Sequence, residues 1–124
     1  MKSVPDWRTS IKMRQYTIKI SDLAENDLEN AGNQIAFEQL DPAAAEDTIK
    51  GIRERGNELQ YFPESCVLED DPVLAELGIH KTYFKEYELF YQIDHGTNTV
   101  YIVRILHLSM DSRAWLFRTF GLST

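Results

Sequence analysis

Apolar positions first alternate and then recur at helical spacing, so the chain opens with a strand followed by helix. In "QYTIKI", Tyr16, Ile18 and Ile20 alternate with Thr17 and Lys19, the period of a strand with one apolar face. Ser21 is placed to cap a helix in which Ala24, Leu28, Ala31 and Ile35 recur to about residue 38. Asp22 and Glu25 favour that helix's positive end, and Gly32 allows close approach of a neighbour. Asp41–Pro42 is a second start signal, and Ala45, Ile49, Ile52, Gly56 and Leu59 follow it in a 4-3-4-3 rhythm. The short connection predicts an antiparallel helix hairpin that ends at Phe62–Pro63.

Residues 64–78 are acidic, carry Pro72 and Gly78, and read mostly as loop. Three strand-like runs follow, at about residues 79–84, 87–93 and 99–107. "DHGTN" joins the last two as a turn in which Gly96 and Asn98 can take positive φ. "DSRAWLF" forms a short terminal helix. The order is β-α-α-β-β-β, an α+β chain. Residues 1–12 show no period and read as an extension, residues 13–120 as one domain, and residues 121–124 as a tail.

Charge adds an asymmetry. Residues 1–20 hold five Lys/Arg against one Asp, residues 21–78 fifteen acids against three bases, and residues 79–124 four acids against five bases and all three histidines. The acidic middle disfavours attraction of the whole molecule to nucleic acid. A single cysteine, Cys66, excludes an internal disulfide. No apolar run approaches membrane-spanning length, so a cytoplasmic chain without membrane association is expected. The histidines lack metal-ligand spacing and there is no glycine-rich phosphate loop, so neither metal nor cofactor is expected.

The words "YTIKISDLAENDLENAGNQI", "DPAAAEDTIKGI", "LQYFPES", "ELGIHKTYFKEYELFYQID" and "NTVYIVRILHLSMD", in this order, resemble the RelE/ParE toxins of type II toxin–antitoxin modules. The likeness covers about residues 14–117 and lies closer to the ParE-like members. It implies a curved antiparallel sheet with the two-helix hairpin packed on one side. It also implies a cognate antitoxin that wraps the toxin, and roles in growth inhibition and plasmid stabilisation. Family targets are of two kinds. Some members cleave mRNA at the ribosome; others bind DNA gyrase without nuclease activity.

Metal-free RNA cleavage needs a base, an acid and cations at the phosphate. The residues available for it are His80, Lys81, Lys85, Arg104, His107 and Arg113, and the set a nuclease would use is His107 with Arg104, Lys81 or Lys85. His107 and Arg104 have a structural reading as well. His107 at a strand end can hydrogen-bond a loop carbonyl. Arg104, in an apolar strand, requires a carboxylate, either Asp111 or an acid of the first helix. The two lie three apart, on opposite faces of a regular strand unless it bulges between them. Glu88 stands where nuclease relatives carry arginine, and "HLSMD" lacks the two arginines of their "HGRRD" word. The residues therefore favour a toxin that binds its target. DNA gyrase is the target implied by the family, contacted through the C-terminal segment with Arg113, Trp115 and Arg118. A non-toxic degenerate member is the third reading. An acidic toxin predicts an antitoxin segment less acidic than usual, or docking by apolar contact with the hairpin and the third and fourth strands. An apolar face left open without antitoxin would favour a homodimer or a toxin–antitoxin hetero-oligomer.

Overall fold

A computed structural model of the chain describes residues 15–122, so the extension expected at residues 1–12 lies outside the described residues. Strand β1 (Thr17–Ile20) leads into helices α1 (Asp22–Glu38) and α2 (Pro42–Glu58). Ser21 Oγ accepts the Ala24 N–H and Asp41 Oδ1 the Ala44 N–H, each satisfying a donor that the first turn leaves open. A 3-10 turn (Pro63–Ser65) and helix α3 (Pro72–Glu76) come next. Strands β2 (His80–Phe84), β3 (Tyr87–Asp94) and β4 (Thr99–His107) follow, and helix α4 (Ser112–Thr119) closes the order.

The expected loop at 64–78 is therefore more ordered than its composition suggests. Asp71–Pro72 repeats the Asp41–Pro42 signal, and Asp71 Oδ1 accepts the N–H groups of Val73 and Leu74. Residues 67–69 also pair with β2, through Lys81 N–H to Val67 O and Glu69 N–H to Ile79 O. In the β3–β4 turn Asn98 takes positive φ (51°); Gly96 does not, and donates its N–H to Asp94 Oδ1.

The sheet runs in the order β1-β4-β3-β2. β2, β3 and β4 pair antiparallel as expected, but β1 joins β4 in parallel, so the sheet is mixed. Parallel neighbours require a long crossover, and here the helix hairpin begins it. One sheet face packs on the hairpin through Leu89, Tyr91, Val100, Ile102 and Ile105 against Leu28, Ile35 and Ile52. The other face packs on α3 and α4 through Ile79, Phe90 and Leu106 against Leu74, Leu116 and Phe117. β3 is covered on both sides, which explains its unbroken buried run Tyr87–Tyr91.

A bulge in β4 decides where the polar residues of that strand point. Phe90 stands opposite Arg104 and Tyr91 opposite Ile102, which leaves Val103 as the extra residue. Ile102 and Ile105 then both face the hairpin, while Arg104 is turned off that apolar face. The bulge falls before Arg104. Between Arg104 and His107 the register is regular, so their backbones aim them at opposite faces.

The helix layer also depends on Gly51. A β-carbon built there would lie 2.0 Å from the Phe84 ring, so the glycine is the seat of that ring. Gly51→Ala is expected to destabilise the chain by about 1–3 kcal/mol despite alanine's better helix propensity. Urea unfolding of the two chains checks this.

Candidate functional site

β1 ends at Ile20, and beyond it the outer edge of β4 meets α1. Ser21 closes the junction, its N–H donating to Ile102 O and its hydroxyl to Val103 O. Asp27, one and a half turns into α1, then reaches the strand. Its Oδ2 accepts the Ile105 N–H at 3.0 Å and Arg104 Nε at 2.8 Å, and its Oδ1 accepts Arg104 Nη2 at 2.7 Å. The third guanidinium nitrogen, Nη1, donates to Thr119 Oγ1 of α4 at 3.0 Å, and the Arg104 guanidinium carbon lies 5.1 Å from the Trp115 ring centroid. Both side chains of the pair are about nine-tenths buried. The carboxylate expected for Arg104 is thus an acid of the first helix, and Asp111 instead caps α4 through the Ala114 N–H.

His107 lies at the end of β4, half-buried and edge-on to Tyr87, with ring centroids 5.2 Å apart. Its expected carbonyl partner is replaced by Ser109. The Ser109 N–H donates to Nδ1 at 3.0 Å, and the Ser109 hydroxyl lies 2.8 Å from the same nitrogen. A backbone N–H cannot reverse its role, so Nδ1 of the neutral ring is the acceptor and the ring proton sits on Nε2. Nε2 of the neutral ring is then a donor and is not available as a base. Despite their opposite backbone directions, Arg104 and His107 both line a depression of about 330 Å³ beside Asn26, Asn30 and Gln34 of α1. His107 also borders a second depression, of about 500 Å³, with Tyr87, Lys85, Glu86 and Glu38. Burial, with Glu86 and Glu38 nearby, pushes the Tyr87 hydroxyl above its ordinary pKa.

Lys81 lies elsewhere. It faces the α3–α4 side of the sheet, with Nζ 3.7 Å from Glu69 Oε2 and 3.8 Å from Asp70 Oδ2. Burial pulls its pKa down, but Glu69, Tyr83, Asp70 and Glu88 together hold it above the ordinary value. Glu88 is buried in the same cluster at 8 % exposure, and Glu69 Oε2 has no hydrogen-bond partner among the described residues. Lys85 sits exposed in the β2–β3 turn with positive φ (52°), its Nζ 5.6 Å from the Phe84 ring centroid. The four candidates for RNA chemistry therefore do not converge: His107 shares one depression with Arg104 and another with Lys85, and Lys81 is in neither.

The three α4 residues also divide. Arg113 donates to Asp71 Oδ2 at 2.6 Å and covers the Phe117 ring, whereas Arg118 stacks on Trp115 at 4.7 Å on another side of the helix. Sequence reasoning missed the amides of Asn26, Asn30 and Gln34. Their i, i+4 spacing was the available signal, because it places them in one row along α1.

Two outcomes test these assignments. Arg104→Met leaves the Asp27 charge buried and unpaired, at an expected cost of about 3–5 kcal/mol. Adding Asp27→Asn recovers part of that loss, because the amide oxygen still accepts the Ile105 N–H; a double-mutant cycle in urea measures it. For Glu88, burial pushes the carboxyl above its ordinary 4.5; Lys81 opposes this shift and Glu69 adds to it. A raised carboxylate pKa favours folding below the unfolded value, and this contribution is lost as pH rises through the folded value. Glu88→Gln should therefore be more stable than the parent at neutral pH. The advantage should vanish below 4.5, the ordinary value, in thermal unfolding followed across pH.

The chain matches the sequence profile of the ParE toxin of type II toxin–antitoxin systems, parDE, over residues 18–112. No curated protein matches it in sequence. Among the solved structures that share its fold are two from toxin–antitoxin systems. One is a chromosomal ParDE toxin–antitoxin system from P. aeruginosa, with a TM-score of 0.62 at 15% identity, covering 76% of this chain and 97% of that one. The other is the toxin–antitoxin complex RelBE2 from Mycobacterium tuberculosis, with a TM-score of 0.55 at 21% identity, covering 75% of this chain and 98% of that one. The match spans the strand, the hairpin and the three-stranded meander that carry the site, and the chain belongs to the ParE toxin family of type II toxin–antitoxin systems.

Proposed function

We propose that the chain arrests growth by binding a target such as DNA gyrase, and that a cognate antitoxin neutralises it. The observation that carries this reading is the commitment of Arg104. Its Nε/Nη2 edge is taken by the Asp27 carboxylate, Nη1 donates to Thr119, and the side chain is buried, which disfavours its use as a clamp on phosphate. Two further features support it. The acceptor nitrogen of His107 is occupied by Ser109, and Lys81 is held between carboxylates. Ribosome-dependent mRNA cleavage would need these groups free at a scissile phosphate. The exposed Arg113 and Arg118, with Trp115, remain our choice of target-binding residues on α4. The ParDE and RelBE2 structures that share the fold are toxin–antitoxin complexes, which supports an antitoxin partner here.

Induced expression of the chain alone in a bacterial host tests the reading. Arrest with altered plasmid supercoiling and continuing translation is expected. His107→Gln should keep the arrest, and Trp115→Ala with Arg118→Ala should weaken it. Immediate loss of translation would assign the site to RNA cleavage, and a soluble, folded chain that causes no arrest would assign it to antitoxin binding alone.

A further inference from the structure

Where α1 ends and α2 begins, the hairpin meets the β2–β3 turn and the end of β4. The depression of about 500 Å³ between them has the volume of a small-ligand site, for which about 300–1,000 Å³ is usual. Its lining includes two hydroxyls that the fold leaves unused. Tyr87 of β3 and Thr48 of α2 are each only 6% exposed, and neither hydroxyl has a hydrogen-bond partner among the described residues. Both residues line the depression, and neither hydroxyl is sealed from it. Among the described residues the one side-chain atom that is both sealed and unpartnered is Glu69 Oε2, on the other face of the sheet. Buried polar groups are as a rule paired within the fold. Two left open to one cleft mark a place where water or a ligand completes them.

The charge of the lining selects the ligand. It comprises the carboxylates of Glu38 and Glu86, the ammonium of Lys85 and the ring of His107. Neither carboxylate has an ion-pair partner among the described residues, and Glu38 accepts only the Gln34 amide, at 3.2 Å. Lys85 is exposed in the turn, with its Nζ 5.6 Å from the Phe84 ring centroid. Burial is the larger cause that holds the pKa of the Tyr87 hydroxyl up, and the charges that add to it are those of Glu86 and Glu38. The C-terminus of α1 and the N-terminus of α2 lie side by side here, so their dipoles offset and the side chains set the field. An anion would find two donors, Lys85 and His107, flanked by carboxylates that repel it.

The acceptors are of a kind that suits an organic cation. Among the described residues no group of His, Cys, Asp and Glu is placed to hold a metal ion. The carboxylates, the two hydroxyls and the side-chain carbonyls of Gln34 and Gln39 come from both helices, the β2–β3 turn and β3. A planar guanidinium with five N–H donors spans such a set better than a compact ammonium with three. Ile35 and Ala44 add an apolar wall for a short alkyl stem.

We propose that this cleft binds an alkylguanidinium group, whose N–H donors reach the Glu38 and Glu86 carboxylates and the Tyr87 and Thr48 hydroxyls while its stem lies on Ile35 and Ala44. The site is separate from the α4 residues assigned to target binding, and the inference does not rest on the target. Two sources present this chemistry: a free guanidino compound and an arginine side chain of a protein.

The test titrates the full ¹⁵N-labelled chain with butylguanidinium and with a blocked peptide of one arginine between two alanines. Butylammonium and valerate are the controls. Butylguanidinium should bind with a dissociation constant of about 1 mM or tighter and shift the amides of Gln39, Thr48, Glu86 and Tyr87. Butylammonium should bind more weakly, and valerate should not bind. A peptide that binds more tightly than butylguanidinium assigns the site to an arginine of a protein; one that binds no more tightly assigns it to a free compound. Tyr87→Phe removes the hydroxyl and keeps the ring, so thermal unfolding should be unchanged while affinity falls about threefold or more. Glu38→Gln with Glu86→Gln, both at exposed positions, should lower affinity about tenfold or more, and Lys85→Gln should raise it. Valerate binding as tightly as butylguanidinium, unchanged affinity in the double glutamine variant, shifts confined to another surface, or no binding of butylguanidinium by about 10 mM would overturn the proposal.

Discussion

β1 stops at Ile20, and where its backbone leaves the edge of β4 the Asp27 carboxylate takes its place. One oxygen receives the Ile105 N–H that a longer strand would have paired, and the same carboxylate neutralises Arg104. Arg104 carries the connection on to Thr119 and Trp115, so α1, β4 and α4 meet at a single buried ion pair. An ion pair in this setting is costly to desolvate, and its worth lies in fixing the relation of three elements more than in net stability. The bulge at Val103 belongs to the same arrangement. Without it, the alternation of β4 would drive Arg104 into the apolar interface with the hairpin.

That constraint shapes what the site can do. Family-type RNA cleavage would require a cation and a base presented outward from the last strands. In this chain the cation is satisfied inward, the histidine is fixed by the turn that follows it, and the far side of the sheet buries a Glu69–Lys81–Glu88 cluster. The surface carries a row of amides on α1, exposed apolar side chains at the hairpin turn, and the exposed cations Lys85, Arg113 and Arg118.

The fold was largely legible. Ser21 and Asp41 announced α1 and α2, and the three last strands stand within a residue of their expected limits. α3 is hidden because one Asp–Pro start inside an acidic stretch is outweighed by composition, although the same word opens α2 at Asp41. The parallel pairing of β1 was not readable from its own four residues, because alternation gives a strand's face and not its direction. At the site, the need of Arg104 for a helix-one acid followed from desolvation alone. Asp27 itself could be identified only once the register was known. The Ser109 contact with His107 depends on the conformation of the turn, which the hydrophobic pattern does not encode.

The central claim is that the polar residues of β4 are engaged by the fold and not held ready for proton transfer. Long-range ¹⁵N–¹H correlation spectra of the labelled chain at neutral pH test it most directly, by reading the tautomer of His107. The geometry predicts a proton on Nε2 and an Nδ1 shift typical of a hydrogen-bond acceptor. A proton on Nδ1, with Nε2 free and unprotonated, would contradict the account and return His107 to the role of a base.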